Sequence, residues 1–271
     1  MLNFNLFPQG KKKALTLSYD DGCHEDKRLV EIINRHHLKA TFHLNTAWGA
    51  GDGFRIDTAE YAALYAGHEI SCHGHRHPDY LGLPFSAVSA DIMENRRVLE
   101  SIAGVPMRGM SYPYGRYNAG LIETLRACGM EYSRTVGNTS PWNRFELPQD
   151  FMAWDSTCHH NDCLKLLPEF LDTHYGDKLT CMYVWGHAFE FERNHNWQII
   201  EEFCEKASGR DEIWYATNCE IMDYALAVRS VKVTCDGKAC FNPSRFDIWA
   251  TGNNGPVCIP AGGIYREPDT L

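Results

Sequence analysis

Two short segments bring together the side-chain types that metal-assisted hydrolysis requires. The first, Ser18-Tyr19-Asp20-Asp21-Gly22, sets adjacent carboxylates at the C-terminal end of an apolar strand, the edge at which parallel β/α barrels build active sites. Neighbouring side chains at a strand end diverge, so one carboxylate can ligate an ion while the other faces its water. The second, Ser71-Cys72-His73-Gly74-His75-Arg76-His77-Pro78-Asp79, again follows a strand-like stretch. His73 and His77 are four residues apart, so one helical turn would bring both imidazoles to one side. Neutral imidazole is a common zinc ligand, and three protein ligands plus a water leave the open position that a catalytic metal uses. His75 points elsewhere in such a turn. Alone, the Asp-Asp-Gly segment reads as a plain turn and the histidines as polar surface; together they predict a metal site.

Two further clusters carry less specific signals. Cys158-His159-His160-Asn161-Asp162 supplies two more imidazoles, which suit a substrate cleft, a second metal site or plain surface equally well. In His187-Ala188-Phe189-Glu190-Phe191-Glu192, Glu190 reads either as a contact to sugar hydroxyls or as a solvated loop charge. A glycoside hydrolase would need carboxylates roughly 5–10 Å apart across the scissile bond, and that reading leaves the histidine spacing unexplained.

The elements that must position these residues alternate between short apolar strands and amphipathic stretches of helical length, the grammar of parallel β/α units. Strands are expected at Ala14–Ser18, Ala40–Leu44, Gly67–Ser71, Met107–Ser111, Glu131–Thr135, Leu179–Trp185 and Ile213–Tyr215. Helices are expected at Asp26–His36, from Asp57 to Ala66, at Ser86–Ile102, Ala119–Cys128, Trp197–Ala207 and Asn218–Val228. After Arg229 the pattern changes to short β-like pieces, Val231–Thr234, Phe246–Trp249 and Val257–Ile259, separated by turn clusters. The expected organisation is one catalytic domain over residues 1–229 and a small β appendage over 230–271 packed on it.

Composition narrows the function classes. The chain has 271 residues, 44% hydrophobic and 23% charged, which is ordinary for a folded globular protein. A formal net charge of −9 disfavours a nucleic-acid partner and attraction to a membrane surface. The N-terminal residues lack the charge-then-apolar order of a secretory signal, and no apolar run approaches the roughly 20 residues of a membrane span. The expectation is a cytoplasmic protein, or an exported one if a leader has been removed. Eleven cysteines without CxxC pairs suggest neither a disulfide framework nor a zinc ribbon; Cys235 and Cys240, flanking a turn at Asp236-Gly237, could pair on export.

The two chemistry-bearing motifs resemble those of the polysaccharide deacetylases, the carbohydrate esterase family that includes chitooligosaccharide and peptidoglycan deacetylases. The first matches the family's Thr-Phe-Asp-Asp-Gly element and the second its His-Ser/Thr-x-x-His element, over a likeness running from about Lys13 to Arg229. The resemblance implies a distorted (β/α) barrel and a hydrolase that removes N- or O-linked acetyl groups from a carbohydrate, its substrate partner. It implies Asp20 as general base and Asp21, His73 and His77 as ligands of one divalent ion, zinc first, with cobalt, nickel or manganese as alternatives. Ser111-Tyr112-Pro113-Tyr114-Gly115 stands for the family's Arg-Pro-Pro-Tyr-Gly, so the backbone N–H of Tyr114 would face the oxyanion. Ser111 then occupies the place of an arginine that orients the base, leaving Arg108, Arg134 or no residue in that role. Trp185-Gly186-His187 matches the late Leu-x-His element, which makes His187 the general acid. Trp154-Asp155 is a loose counterpart of the pair that lines the acetyl pocket and tunes that histidine. Two alternatives stay open: hydrolysis of a cyclic amide at the same metal, and an inactive carbohydrate-binding protein.

Overall fold

Along Lys13–Asp20 the polar residues Thr16, Ser18 and Asp20 alternate with Leu15, Leu17 and Tyr19, yet all eight residues are buried, so this strand must be covered on both faces. The computed structural model describes residues 2–48, 53–137, 140 and 142–268 and shows how. In chain order the strands are β1 (Asn3–Leu6), β2 (Lys13–Asp20), β3 (Ala40–Leu44), β4 (Glu69–Cys72), β5 (Gly109–Ser111), β6 (Tyr132–Thr135), β7 (Trp154–Asp155), β8 (Cys158–His159), β9 (Thr180–Gly186), β10 (Ile213–Tyr215), β11 (Lys232–Val233), β12 (Ala239–Phe241), β13 (Ile248–Gly252), β14 (Gly255–Ile259) and β15 (Ile264–Arg266). The helices are α1 (Asp26–Arg35), α2 (Tyr61–Leu64), α3 (Phe85–Ala103), α4 (Ala119–Ala127), α5 (Cys163–Asp172), α6 (Ala188–Arg193), α7 (Gln198–Ala207) and α8 (Asn218–Ser230).

Strands β2 to β10 form one parallel sheet in the order β7-β6-β5-β4-β3-β2-β9-β8. Strand β10 shares an edge of β2 with β3: it pairs with Lys13–Leu15, and β3 with Leu17–Asp20. The sheet curls. Arg134 on β6 pairs with Asp20 on β2, four strands away, whereas a flat sheet would separate them by about 19 Å at the usual strand spacing of about 4.8 Å. The two ends of the sheet, β7 and β8, are chain neighbours joined by Ser156-Thr157. The result is the distorted (β/α) barrel expected from the motifs.

Period two then sorts the residues. The inward face carries a polar network: Thr16 Oγ1 donates to Asn218 Oδ1 (2.9 Å), Thr41 Oγ1 to Glu69 Oε2 (2.9 Å), and Tyr132 Oη to Glu69 Oε1 (2.9 Å). The outward face, with Leu15, Leu17, Tyr19, Phe42 and Leu44, joins Leu29 and Ile33 of α1, Ile92 and Leu99 of α3, and Phe203 of α7 in the main apolar core. Gly109 stands where Tyr132 lies against the sheet; a Cβ there would come 2.0 Å from the Tyr132 ring.

Most expected strands and helices form within a few residues of their sequence positions. The stretch from Asp57 to Ala66 differs: Asp57 caps a 3-10 turn at Thr58–Glu60, and only Tyr61–Leu64 is α-helical, because Tyr61 and Tyr65 turn into the core beside Phe42. The expected C-terminal β pieces form two three-stranded sheets, and one of them recruits the N-terminus: the order is β1-β13-β14, with β11-β12-β15 beside it. Tyr224 of α8 fastens this sheet to the barrel by donating to Leu6 O (2.9 Å) and accepting from Trp249 N (3.0 Å). All eleven cysteines are unbridged, Cys235 and Cys240 included. Among the described residues, no helix is long and apolar enough to cross a membrane.

Candidate active site

The inward residues at the C-terminal ends of neighbouring strands meet at one end of the barrel. Strand β2 ends at Asp20, and Asp21 leaves it with φ 81°, its N–H donating to His43 O at 3.0 Å. His73 follows β4, and His77 lies on the same loop with φ 50°. Tyr114, in the turn after β5, has φ 59°. Left-handed backbone costs a non-glycine residue on the order of 1–3 kcal/mol, so its presence at all three positions means the surroundings dictate where these residues point. The β4 loop is fastened accordingly: Asn45 Nδ2 donates to His73 O (2.7 Å) and Gly74 O (3.0 Å), while Asp91 of α3 accepts from His75 N (2.9 Å), Arg76 N (3.1 Å) and Tyr80 Oη (2.8 Å).

Asp21, His73 and His77 converge. His73 Nε2 lies 3.8 Å from Asp21 Oδ1 and His77 Nε2 4.0 Å from the same atom; the three ligand atoms all lie within 4.8 Å of one another. Metal–ligand bonds of about 2.0–2.2 Å can bridge gaps of this size with small side-chain adjustments. Asp21 Oδ1 is buried without a hydrogen-bond partner among the described residues, an atom that an ion would satisfy. His73 Nδ1 lies 3.0 Å from Ser111 O; donation there leaves the Nε2 lone pair facing Asp21, the tautomer a ligand needs. Burial first, and then neighbouring His73, bring His77 down to about 4, so its imidazole is neutral at physiological pH. The donor set therefore fits a divalent cation. His75 stands apart, its Nδ1 2.9 Å from Thr46 Oγ1.

Beside this cluster lies Asp20, with His73 Nε2 3.8 Å from its Oδ2. Ser111 Oγ donates to its Oδ1 at 3.2 Å, and Arg134 pairs with its Oδ2. Burial would raise this carboxyl, but the Arg134 guanidinium, aided by His73, His43 and His187, holds it well below the usual carboxylate range. Arg134 is itself buried and lies 4.4 Å over the Trp185 ring. Of the residues considered for the arginine missing at Ser111, Arg134 contacts Asp20, whereas Arg108 bonds Glu131 (2.8 Å) and Asp223 (2.9 Å) on the outside.

His187 follows β9, its Nδ1 3.6 Å from Glu190 Oε1. Burial would lower it, but Glu190, Asp20 and Asp21 raise it above its ordinary value. The carboxylate beside this histidine is thus Glu190, on helix α6 rather than in a loop. Asp155 is exposed and accepts from Thr135 Oγ1, and Trp154 is 1% exposed, packed among Tyr132, Phe151 and Tyr183. Tyr114 is 62% exposed and sets its ring 4.6 Å from His77. Sequence reading missed His43, buried beneath Asp20 and pushed down to about 3 by burial; the Thr41-His43 alternation on β3 carried that signal.

Residues 8–133 match the family model described as polysaccharide deacetylase. A Bacillus subtilis protein described only as uncharacterized YlxY is 27% identical over 118 residues, 44% of this chain and 36% of the relative, so the match spans about a third of that protein. The fold resembles a Mycobacterium smegmatis protein provisionally described as a polysaccharide deacetylase, with TM-score 0.60 and 18% identity over 82% of this chain and 93% of the other. It also resembles the Xyl-CE4 domain of a multidomain xylanase from the hindgut metagenome of Trinervitermes trinervoides, with TM-score 0.54 and 14% identity over 79% and 92%.

Proposed function

We propose that this chain, whose residues 8–133 match the polysaccharide deacetylase family model, is a metal-dependent hydrolase that removes acetyl groups from a carbohydrate. The observation that carries this reading is the meeting of Asp21, His73 and His77 around a buried, unpartnered Asp21 oxygen, with a second carboxylate, Asp20, 3.8 Å from His73. A divalent cation held by those three side chains, zinc first by its preference for nitrogen and oxygen donors, would polarise the acetyl carbonyl and acidify water.

The remaining work falls to the chain's own groups. Asp20 is ionised across the physiological range because Arg134 faces it, so it is available to accept the proton of the attacking water. His187, raised by Glu190 and the two aspartates, gives a proton to the departing amine or alcohol. The N–H of Tyr114, in a turn whose ring touches His77, is assigned to the developing oxyanion. Trp154 acts from the core and Asp155 from the rim of β7 rather than as partners of His187. The placement of Arg134 beside Asp20 restores the base-orienting cation that Ser111 lacks and so favours sugar deacetylation over the cyclic-amide reading.

Acetate release from a panel of N- and O-acetylated glycans, run beside cyclic amides and with metal stripped and restored, tests the reading. Acetate from a glycan, lost on chelation and regained with zinc, is the expected result. Cyclic-amide turnover alone, or tight glycan binding with no acetate under zinc, cobalt or nickel, would overturn it. Asp20→Asn should keep the metal and lose about 10²–10⁴ in kcat, the usual range for a general base.

A further inference from the structure

A second constellation of ligand-type side chains lies beyond Asp20 and Asp21. His159 at the end of β8, His187 after β9 and Glu190 on α6 offer ligand atoms that all lie within 4.8 Å of one another. Glu190 is the hub: its Oε2 is 2.8 Å from His159 Nε2 and its Oε1 is 3.6 Å from His187 Nδ1.

An independent observation comes from His160. Its side chain is fully buried, stacked on Phe191 at 4.1 Å, and neither ring nitrogen has a hydrogen-bond partner among the described residues. Buried polar groups are rarely left so. Its Nε2 is aimed at the same carboxylate, 3.5 Å from Glu190 Oε2 without hydrogen-bond geometry, and His187 Nδ1, also buried, faces Glu190 Oε1 at 3.6 Å with no hydrogen bond among the described residues. Gly186 makes room for this ring, since a Cβ there would come 2.0 Å from His160 Nδ1. Arg193 faces the group from α6, its exposed guanidinium 3.3 Å from Glu190 Oε1 and 5.3 Å over the Phe189 ring. His159 also lines an open cleft with Arg144, Asp162 and Trp185, which gives an ion a route in.

We propose that His159, His187 and Glu190, with His160 behind them, form a second divalent-cation site distinct from that of Asp21, His73 and His77. Two imidazoles and one carboxylate, with the His160 ring beside them, select zinc, cobalt or nickel over calcium or magnesium, which prefer all-oxygen shells. Ligation through His187 Nδ1 requires that nitrogen unprotonated, so an ion bound here would compete with the proton-donor role proposed for His187.

Cobalt(II) titration followed by visible d–d absorption tests this on four folded proteins: wild type, Asp21→Ala, His159→Ala and Asp21→Ala/Glu190→Gln, each checked by circular dichroism. The proposal expects two equivalents for wild type, one for each single variant and none for the double variant. One equivalent for wild type and for His159→Ala with none for Asp21→Ala would overturn it while leaving the first metal centre intact. One equivalent for wild type and Asp21→Ala with none for His159→Ala would support the second site and sink the first. Retention of the ion in the double variant would overturn the proposal by placing that ion elsewhere.

Discussion

Asp20 is caught between two opposing effects, and the balance sets its chemistry. Burial alone would favour a protonated carboxyl, but Arg134 reverses this. Replacing Arg134 with Met should leave burial unopposed and raise the Asp20 pKa. If Asp20 is the base proposed above, it acts deprotonated, and the acid limb of the kcat/KM profile should then move to higher pH, which a pH-rate series with the two proteins would show; an unmoved limb would mean that Arg134 does not tune the base. Asp26 presents the opposite case. It accepts from Tyr65 Oη (2.7 Å) in a fully buried site, and burial raises it to about 7. Its folded pKa lies above its unfolded one, so the folded state holds this proton more tightly, and stability falls as pH rises from about 4 to about 7. Asp26→Asn should therefore be the more stable protein at pH 8, on the order of 2–4 kcal/mol from the size of the shift, with the gain disappearing near pH 4. Urea unfolding at both pH values measures it.

At the scale of elements, what could be read depended on periodicity and length. The seven-residue Thr180–Gly186 strand and the 19-residue Phe85–Ala103 helix stood out, as did the motif loops, because polar residues interrupted apolar runs at strand ends. Strands β7 and β8, two residues each, carry no period, and they exist only because the curled sheet offers them an edge. Helix α5 went unassigned with Pro168 at its centre. The Asp21, His73 and His77 trio was legible because its members sit on contiguous motifs. The partnership of Asp20 with Arg134 was only one of several possibilities, since it depends on curvature that brings β6 opposite β2. That close fit is testable at Gly109, where any side chain meets Tyr132: Gly109→Ala should cost about 1–3 kcal/mol, the usual penalty of overpacking, and should disturb the Tyr132 bonds to Ser71 and Glu69. A Tm equal to wild type would show that the ring yields freely.

Across the whole molecule, the two chain ends cooperate: β1 near the N-terminus pairs with β13, and Tyr224 ties both to the barrel. Ending the chain after Ser230 should leave β1 without its partner and uncover Phe7 and Ala225, which now pack beside Ile248 and Ile259; a Tm lower by several degrees in a thermal scan is expected. In the proposed reading, the barrel holds loops from β2 and β4 at a separation that one ion can bridge. The most direct test of that role is the rate of acetate release from an acetylated glycan by zinc-loaded wild type and by Asp21→Ala. Loss of at least about 10³ in rate together with loss of this site's ion is the outcome this account requires; equal rates, with Asp21→Ala no longer binding metal at the first site, would contradict it.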